Sequence, residues 1–181
     1  MDSVALERRI RRIEDRDAIR TLVGRYGLAM DNKDFGLVAE IFAEGGRFGW
    51  VDGTFDIVGR DAIVDMYRTR LATAGPSFHF THDQFIEWDP ADDDRATGLV
   101  LGHAETAAGP AQGLVAIRYH DRYVRQGERW LFQERLLGFL YNVPVAEYCG
   151  ILMKTDRIRL ASGSKPAHWP SPSLASLANI S

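Results

Sequence analysis

The stretch SFHFTHDQFIEW, residues 77–88, carries four aromatic rings, β-branched residues and no glycine or proline. That composition reads as one long strand rather than a helix. Three more segments of the same kind follow: RATGLVLGHAET (95–106), GLVAIRYHDRYVR (113–125) and RWLFQERLLGFLY (129–141). Between them lie DPADDD, AAGPAQ and QGE, all turn-forming chemistry. Upstream the pattern differs. Ile10, Ile13, Leu22, Val23, Tyr26 and Met30 recur at helical spacing and predict a helix over about residues 5–31. DFGLVAEIFA predicts a short second helix, with Asp34 as N-cap and Gly45–Gly46 as its stop. GRFGWVDGTFDIVG reads as strand, turn and return strand, and RDAIVDMYRTRLA as a third helix closed by Gly75–Pro76. Helices first and strands afterwards imply an α+β fold, an antiparallel sheet folded over a helical layer.

At 181 residues the chain is of single-domain size, and 45% hydrophobic with 26% charged residues is a globular balance. A formal charge of −3 argues against nucleic acid, which calls for a basic surface. The local run of Arg8, Arg9, Arg11 and Arg12 is interleaved with acids and reads as a solvated helix face. No apolar run resembles a secretory signal or a membrane span, so a cytoplasmic protein without a membrane partner is expected. Cys149 is the sole cysteine, which excludes an intramolecular disulfide and a Cys-rich zinc site. The Ser- and Pro-rich end, ASGSKPAHWPSPSLASLANIS, reads as an extended, loose tail, although His168 and Trp169 could clamp onto the domain.

Glycine-rich phosphate loops and nucleophile elbows are absent from the sequence. His103-Ala104-Glu105 opens the zinc-deaminase signature, but one cysteine cannot complete it. The same triplet supplies two ligands of a two-His-one-carboxylate iron site, with His120 or His168 as a third. His79 and His82 are three apart and face opposite sides of a regular strand. His79, Thr81, Asp83 and Phe85 then share one face, and Phe80, His82, Gln84, Ile86 and Trp88 the other, unless the strand bulges. From the residues alone, either histidine is equally a polar group satisfied in a core.

Taken in order, Tyr26-x4-Asp31, the helix ending in IFAEGG, Gly59 before DAIVDMY, His79 opening the long strand, DRATG, and RYHDRYVRQGERWLFQER resemble the nuclear transport factor 2-like superfamily, in its SnoaL-like and scytalone dehydratase-like branch. The resemblance covers about residues 14–142. It implies a cone-shaped α+β barrel, helices packed against a strongly curved, mainly antiparallel sheet around a deep pocket. Residues 1–145 would form that domain and 146–181 a C-terminal extension. It further implies that His79, rather than His82, pairs with Asp31 as a general base. Tyr26 would hold or polarise a substrate oxygen, Arg135 would stabilise a departing anion, and His103 would lie near a second pocket residue.

The expected function is a cofactor-independent lyase or isomerase, dehydratase-type, acting on a small apolar cyclic or aromatic molecule. Phe42, Trp50, Phe85, Phe139 and Tyr141 are the expected pocket walls, with no metal required. The alternative is a non-catalytic module of the same fold, binding a hydrophobic ligand or assembling subunits. Arg118, His120 and Arg122 alternate along one strand face, which suits a polar subunit interface of a homodimer or homotrimer and equally suits plain solvent exposure. A metal-dependent enzyme built on His103 and Glu105 is the third reading.

Overall fold

The computed structural model describes residues 2–107 and 112–169. Helix α1 spans Ser3–Asp31, α2 Phe35–Ile41 and α3 Arg60–Leu71. Strands β1 (Phe42–Trp50), β2 (Asp56–Val58), β3 (Ser77–Trp88), β4 (Arg95–Thr106), β5 (Gly113–Gln126) and β6 (Arg129–Pro144) form one curled, unclosed sheet in the order β2-β1-β6-β5-β4-β3. The pairing is antiparallel except between β1 and β6. Two short strands, β7 (Ile158–Leu160) and β8 (Gly163–Lys165), follow, and β7 joins β6 in parallel. The three helices cover the concave face, as the α+β reading expects. No described helix is long and apolar enough to cross a membrane.

Ile19, Val38, Ile41, Phe42, Ile63, Val100 and Phe132 are fully buried between helices and sheet. Apolar burial on this face supplies the driving force, at roughly 25 cal/mol per Å2 removed from water. Helix α1 joins the core only from Asp15 onward. Asp15 accepts from Trp130 Nε1 (2.9 Å) and Arg125 Nη1 (2.8 Å), fixing the helix to β5 and β6. Ahead of it Ile10 and Ile13, placed on the buried stripe by periodicity, are 47% and 69% exposed. There the helix overhangs the β3–β4 turn, and the arginine run has a purpose beyond solvation. Arg12 and Arg8 pair with Asp93, Arg8 at 3.5 Å, and Arg11 lies 3.7 Å from Asp94.

Asp34 caps α2 through Leu37 N–H, as expected, but the helix ends without a glycine. Phe42 turns directly into extended backbone and starts β1. Gly45 and Gly46 lie inside that strand, where pairing with β6 shifts register between Phe42 and Arg47. A Cβ on Gly46 would sit 2.9 Å from the Ala43 carbonyl oxygen, so this irregularity demands glycine. The glycine pair serves a bulge rather than a helix stop.

The second irregularity is in β3, between Thr81 and Gln84. It switches the strand's facing. His79 shares the concave side with Gln84, Ile86 and Trp88, while Phe85 turns outward and is 58% exposed. Beyond β6 the extension is fastened, not loose, through Trp169. Ile151 and Ile158 are fully buried, and Asn142 N–H donates to the Arg157 carbonyl. His168 N–H donates to the Phe139 carbonyl, and Phe139 N–H donates to His168 Nδ1 (both 2.9 Å). Past the end of β1, β6 would otherwise show a bare edge, and the returning chain satisfies it. Residues 170–181 lie outside the described residues.

Candidate functional site

Asp31 is the last residue of α1 and His79 lies near the start of β3. The approach of strand to helix depends on Gly27, one turn before Asp31, where a Cβ would already touch His79 Cβ at 3.4 Å. The Asp31 carboxylate then accepts three times from β3. His79 Nδ1 lies 2.6 Å from Oδ1, His79 N–H donates to Oδ2 at 3.0 Å, and Ser77 Oγ donates to Oδ1 at 3.3 Å. A carboxylate only accepts, so Nδ1 carries the proton and neutral His79 keeps its lone pair on Nε2. Both side chains are mostly buried, at 17% and 21% exposure.

The imidazole meets the Tyr26 ring edge-on, with centroids 6.3 Å apart. Tyr26 Oη is 2.9 Å from Tyr67 Oη, and Tyr119 also packs edge-on against the Tyr26 ring. Behind them lies Arg135, fully buried, its guanidinium 4.2 Å from the Tyr26 and Tyr119 ring centres and 4.3 Å from Phe132. Nε and Nη2 donate to Asp121 at 2.9 and 3.0 Å, while Nη1 is buried with no acceptor. Asp121 is held in turn by Tyr123 Oη, which accepts from Gln84 Nε2.

Burial raises the pKa of Tyr26, against the opposing pull of Arg135. Burial likewise pushes Tyr67 and Tyr119 upward, helped by the neighbouring tyrosines. All three stay neutral hydroxyl donors. Burial alone would lower Arg135, but Asp121 outweighs it and the guanidinium stays charged. The cluster therefore offers one imidazole lone pair, phenolic donors and a fixed cation in a desolvated setting, the ingredients for taking a proton from carbon and stabilising the resulting anion.

Of the expected residues, the structure brings together His79, Asp31, Tyr26 and Arg135. It separates His103. His79 pairs with Ala104, so His103 faces the other side of the sheet, where its Nε2 is 3.3 Å from Tyr141 Oη. Tyr141 follows it there through the shared Ala116 register and packs with Val143 and Ile151. Phe85 is carried outward by the β3 bulge. These three, expected at a pocket on the concave side, lie on the convex face instead. Phe42 is fully packed between Phe48 and Phe132, and Trp50 and Phe139 meet edge to face beside His168. Among the described residues no three His, Cys, Asp or Glu side chains gather to hold a metal, so the His103–Glu105 reading lacks a third ligand. His82 is exposed on the β3 bulge.

Tyr67, Tyr119 and Asp121 are site neighbours that the sequence reading passes over. The alternation Ile117, Tyr119, Asp121, Tyr123 was available in β5 as a buried face, opposite the more conspicuous Arg118, His120 and Arg122. Ile63, Val64 and Tyr67 form the helical counterpart on α3.

A family model described as a SnoaL-like domain matches residues 11–136. Among curated proteins, none matches. Among solved structures, a candidate scytalone dehydratase from Novosphingobium aromaticivorans is 18% identical, with a TM-score of 0.67 over 74% of this chain and 89% of that one. A hexachlorocyclohexane dehydrochlorinase, LinA-type3 from Novosphingobium barchaimii, is 19% identical, with a TM-score of 0.65 over 75% and 93%. A Mycobacterium tuberculosis protein of unknown function is 25% identical, with a TM-score of 0.62 over 78% of each chain. These likenesses concern the fold, a nuclear transport factor 2-like cone.

Proposed function

Because this chain belongs to the SnoaL-like domain family, we propose that it is a cofactor-independent lyase or isomerase, with dehydration of a small apolar cyclic or aromatic molecule as its net reaction. One observation carries the reading: the 2.6 Å contact between His79 Nδ1 and Asp31, which leaves Nε2 as the basic nitrogen. The names of the dehydratase and dehydrochlorinase neighbours support the reaction class.

In this scheme Nε2 of His79 takes a proton from carbon adjacent to a carbonyl. Asp31 stabilises the imidazolium that forms. The C–H electron pair becomes a carbon–carbon double bond as the β-hydroxyl leaves, and the imidazolium returns its proton to that oxygen, releasing water. Tyr26 donates to the carbonyl oxygen as it gains charge, and Arg135 lies behind the ring as the counter-charge. Where no leaving group is present, return of the proton to another carbon gives a double-bond shift instead.

The test uses a panel of cyclic β-hydroxyketones in deuterated buffer. Enone formation is followed by ultraviolet absorbance and α-deuterium incorporation by NMR. His79→Gln and Asp31→Asn should each lower the rate by roughly 10²–10⁴-fold, the scale of a positioned general base. Exchange and elimination no faster than in buffer, or full activity in His79→Gln, would sink the proposal.

A second reading, a binding or assembly module, is favoured by one observation. A groove of about 1130 Å3 lies across the convex face, away from His79. Homo-oligomers built through that face belong to this second reading.

A further inference from the structure

The convex face of β3–β6 and the returning segment around Trp169 enclose that groove of about 1130 Å3. Phe85, Leu99 and Leu136 give it an apolar lining, and Trp169 borders it. Arg118 projects from the middle of β5 with its guanidinium carbon 4.0 Å from the centre of the Trp169 ring. The groove's other arginine and its lysine are already matched. Arg122 Nε lies 3.2 Å from Glu134, and Lys165 Nζ 2.6 Å from Asp52. Among the described residues Arg118 has no carboxylate partner, and its Nε is buried without an acceptor. His120, two residues on and on the same face, has its pKa lowered by desolvation, with Arg118 adding to that effect against Asp121. The groove thus holds one pre-stacked cation with no ion-pair partner among the described residues, beside an apolar lining that also includes Glu87.

We propose that this groove binds a small planar aromatic carboxylate, independently of any reaction at His79. The carboxylate would accept from the Arg118 guanidinium, whose fork matches it in a bidentate contact, and the aromatic body would lie along Phe85, Leu99 and Leu136. A concave, mostly apolar site with few polar anchors is the usual form of a small-molecule pocket. Trp169 is part of the design. Stacking removes Arg118 from water on one side, so its charge is poorly hydrated before the ligand arrives.

The test is titration of the full chain with 2-naphthoate, by calorimetry and ligand-observed saturation-transfer NMR. Saturable binding is expected, weakened roughly tenfold or more by Arg118→Gln, as for loss of a charge-assisted hydrogen bond. Arg118→Lys should bind with intermediate strength, because it keeps the charge and loses the fork. The neutral 2-naphthamide should bind as weakly as naphthoate binds the Gln variant. His79→Gln should bind normally, which separates this site from the concave one. Absence of saturable binding overturns the proposal, as does binding lost in His79→Gln but kept in Arg118→Gln. Sedimentation supplies the last arm. An oligomer that Arg118→Gln dissociates, with no naphthoate uptake by either form, assigns the groove to a second copy and refutes the ligand.

Discussion

Replacing Asp121 by Asn removes one charge from a pair whose members are both completely buried. Arg135 would keep its charge, as a guanidinium does, and would be left with an uncharged amide oxygen at position 121 and the rings of Tyr26, Tyr119 and Phe132. At the 2.9–3.0 Å separations seen here, Coulomb attraction at an effective dielectric of about 20 is roughly 5.5 kcal/mol. Breaking one side of a buried pair characteristically costs about 3–5 kcal/mol. Urea unfolding with a slope near 2 kcal/mol/M would then show the midpoint falling by roughly 1.5–2.5 M. The paired control is Asp121→Leu with Arg135→Met, which removes both charges and leaves no orphan. It should recover most of the loss, because the attraction only offsets the desolvation of the two groups. A single variant that loses less than about 1 kcal/mol, or a double variant no better than the single, would refute an energetically coupled pair.

Two glycines should respond oppositely to alanine. Gly24 is exposed on α1 with nothing within 4 Å of an added Cβ, and Gly24→Ala should stabilise by about 0.5–1 kcal/mol through helix propensity. A Cβ on Gly102 would lie 2.6 Å from the Tyr119 ring, so Gly102→Ala should cost about 1–3 kcal/mol and alter the near-ultraviolet dichroism; equal effects at both positions would contradict the packing described. Acid should act at Asp52. Burial alone would raise its pKa, but Lys165, Thr54 and His168 outweigh that and hold the carboxyl well below its ordinary 3.8. A depressed folded-state pKa contributes stability that is fully present above the unfolded value and is lost as pH falls through the folded one. The attachment of the C-terminal segment should therefore hold at pH 5 and weaken progressively below about pH 4. Hydrogen exchange at Phe139 N–H reports it, and Asp52→Asn should abolish the acid dependence.

The long strands, the turns after β3 and β5 and all three helices were legible because period and turn chemistry are local properties of the chain; the AAGPAQ turn lies, at 108–111, outside the described residues. Facing was not. Whether Phe85 points in or out depends on one extra residue in β3 between Thr81 and Gln84. Strand periodicity is blind to such an insertion, because a single slip exchanges every later side chain between faces. His103 and Tyr141 turned outward for the related reason that their side depends on pairing with β3 and β5. The contact of Asp31 with His79 spans 48 residues and no local pattern links them; only the family resemblance put them together. Tyr67 and Tyr119 looked like ordinary packing residues, and Asp121 was overshadowed by its basic neighbours. The folding back of His168 and Trp169 rests on the paired Phe139–His168 hydrogen bonds, the Asp52 contact with His168 and a ring stacked on Arg118, which a Ser- and Pro-rich composition does not announce.

The bonds joining Phe139 to His168 also order events during synthesis. When β6 leaves the ribosome, its N-terminal half can pair at once with β1 and β5, both already made. Past the end of β1, Asn142 must wait for residue 157 and Phe139 for residue 168, translated 29 positions after it. Throughout that interval the nascent chain shows an unsatisfied strand edge beside the aromatic rings of Trp50 and Phe139, the kind of surface that recruits other chains. Messages truncated between the end of β6 and that codon would yield a chain that still carries all three helices and strands β1–β6 but leaves the flank at Phe139 unpaired.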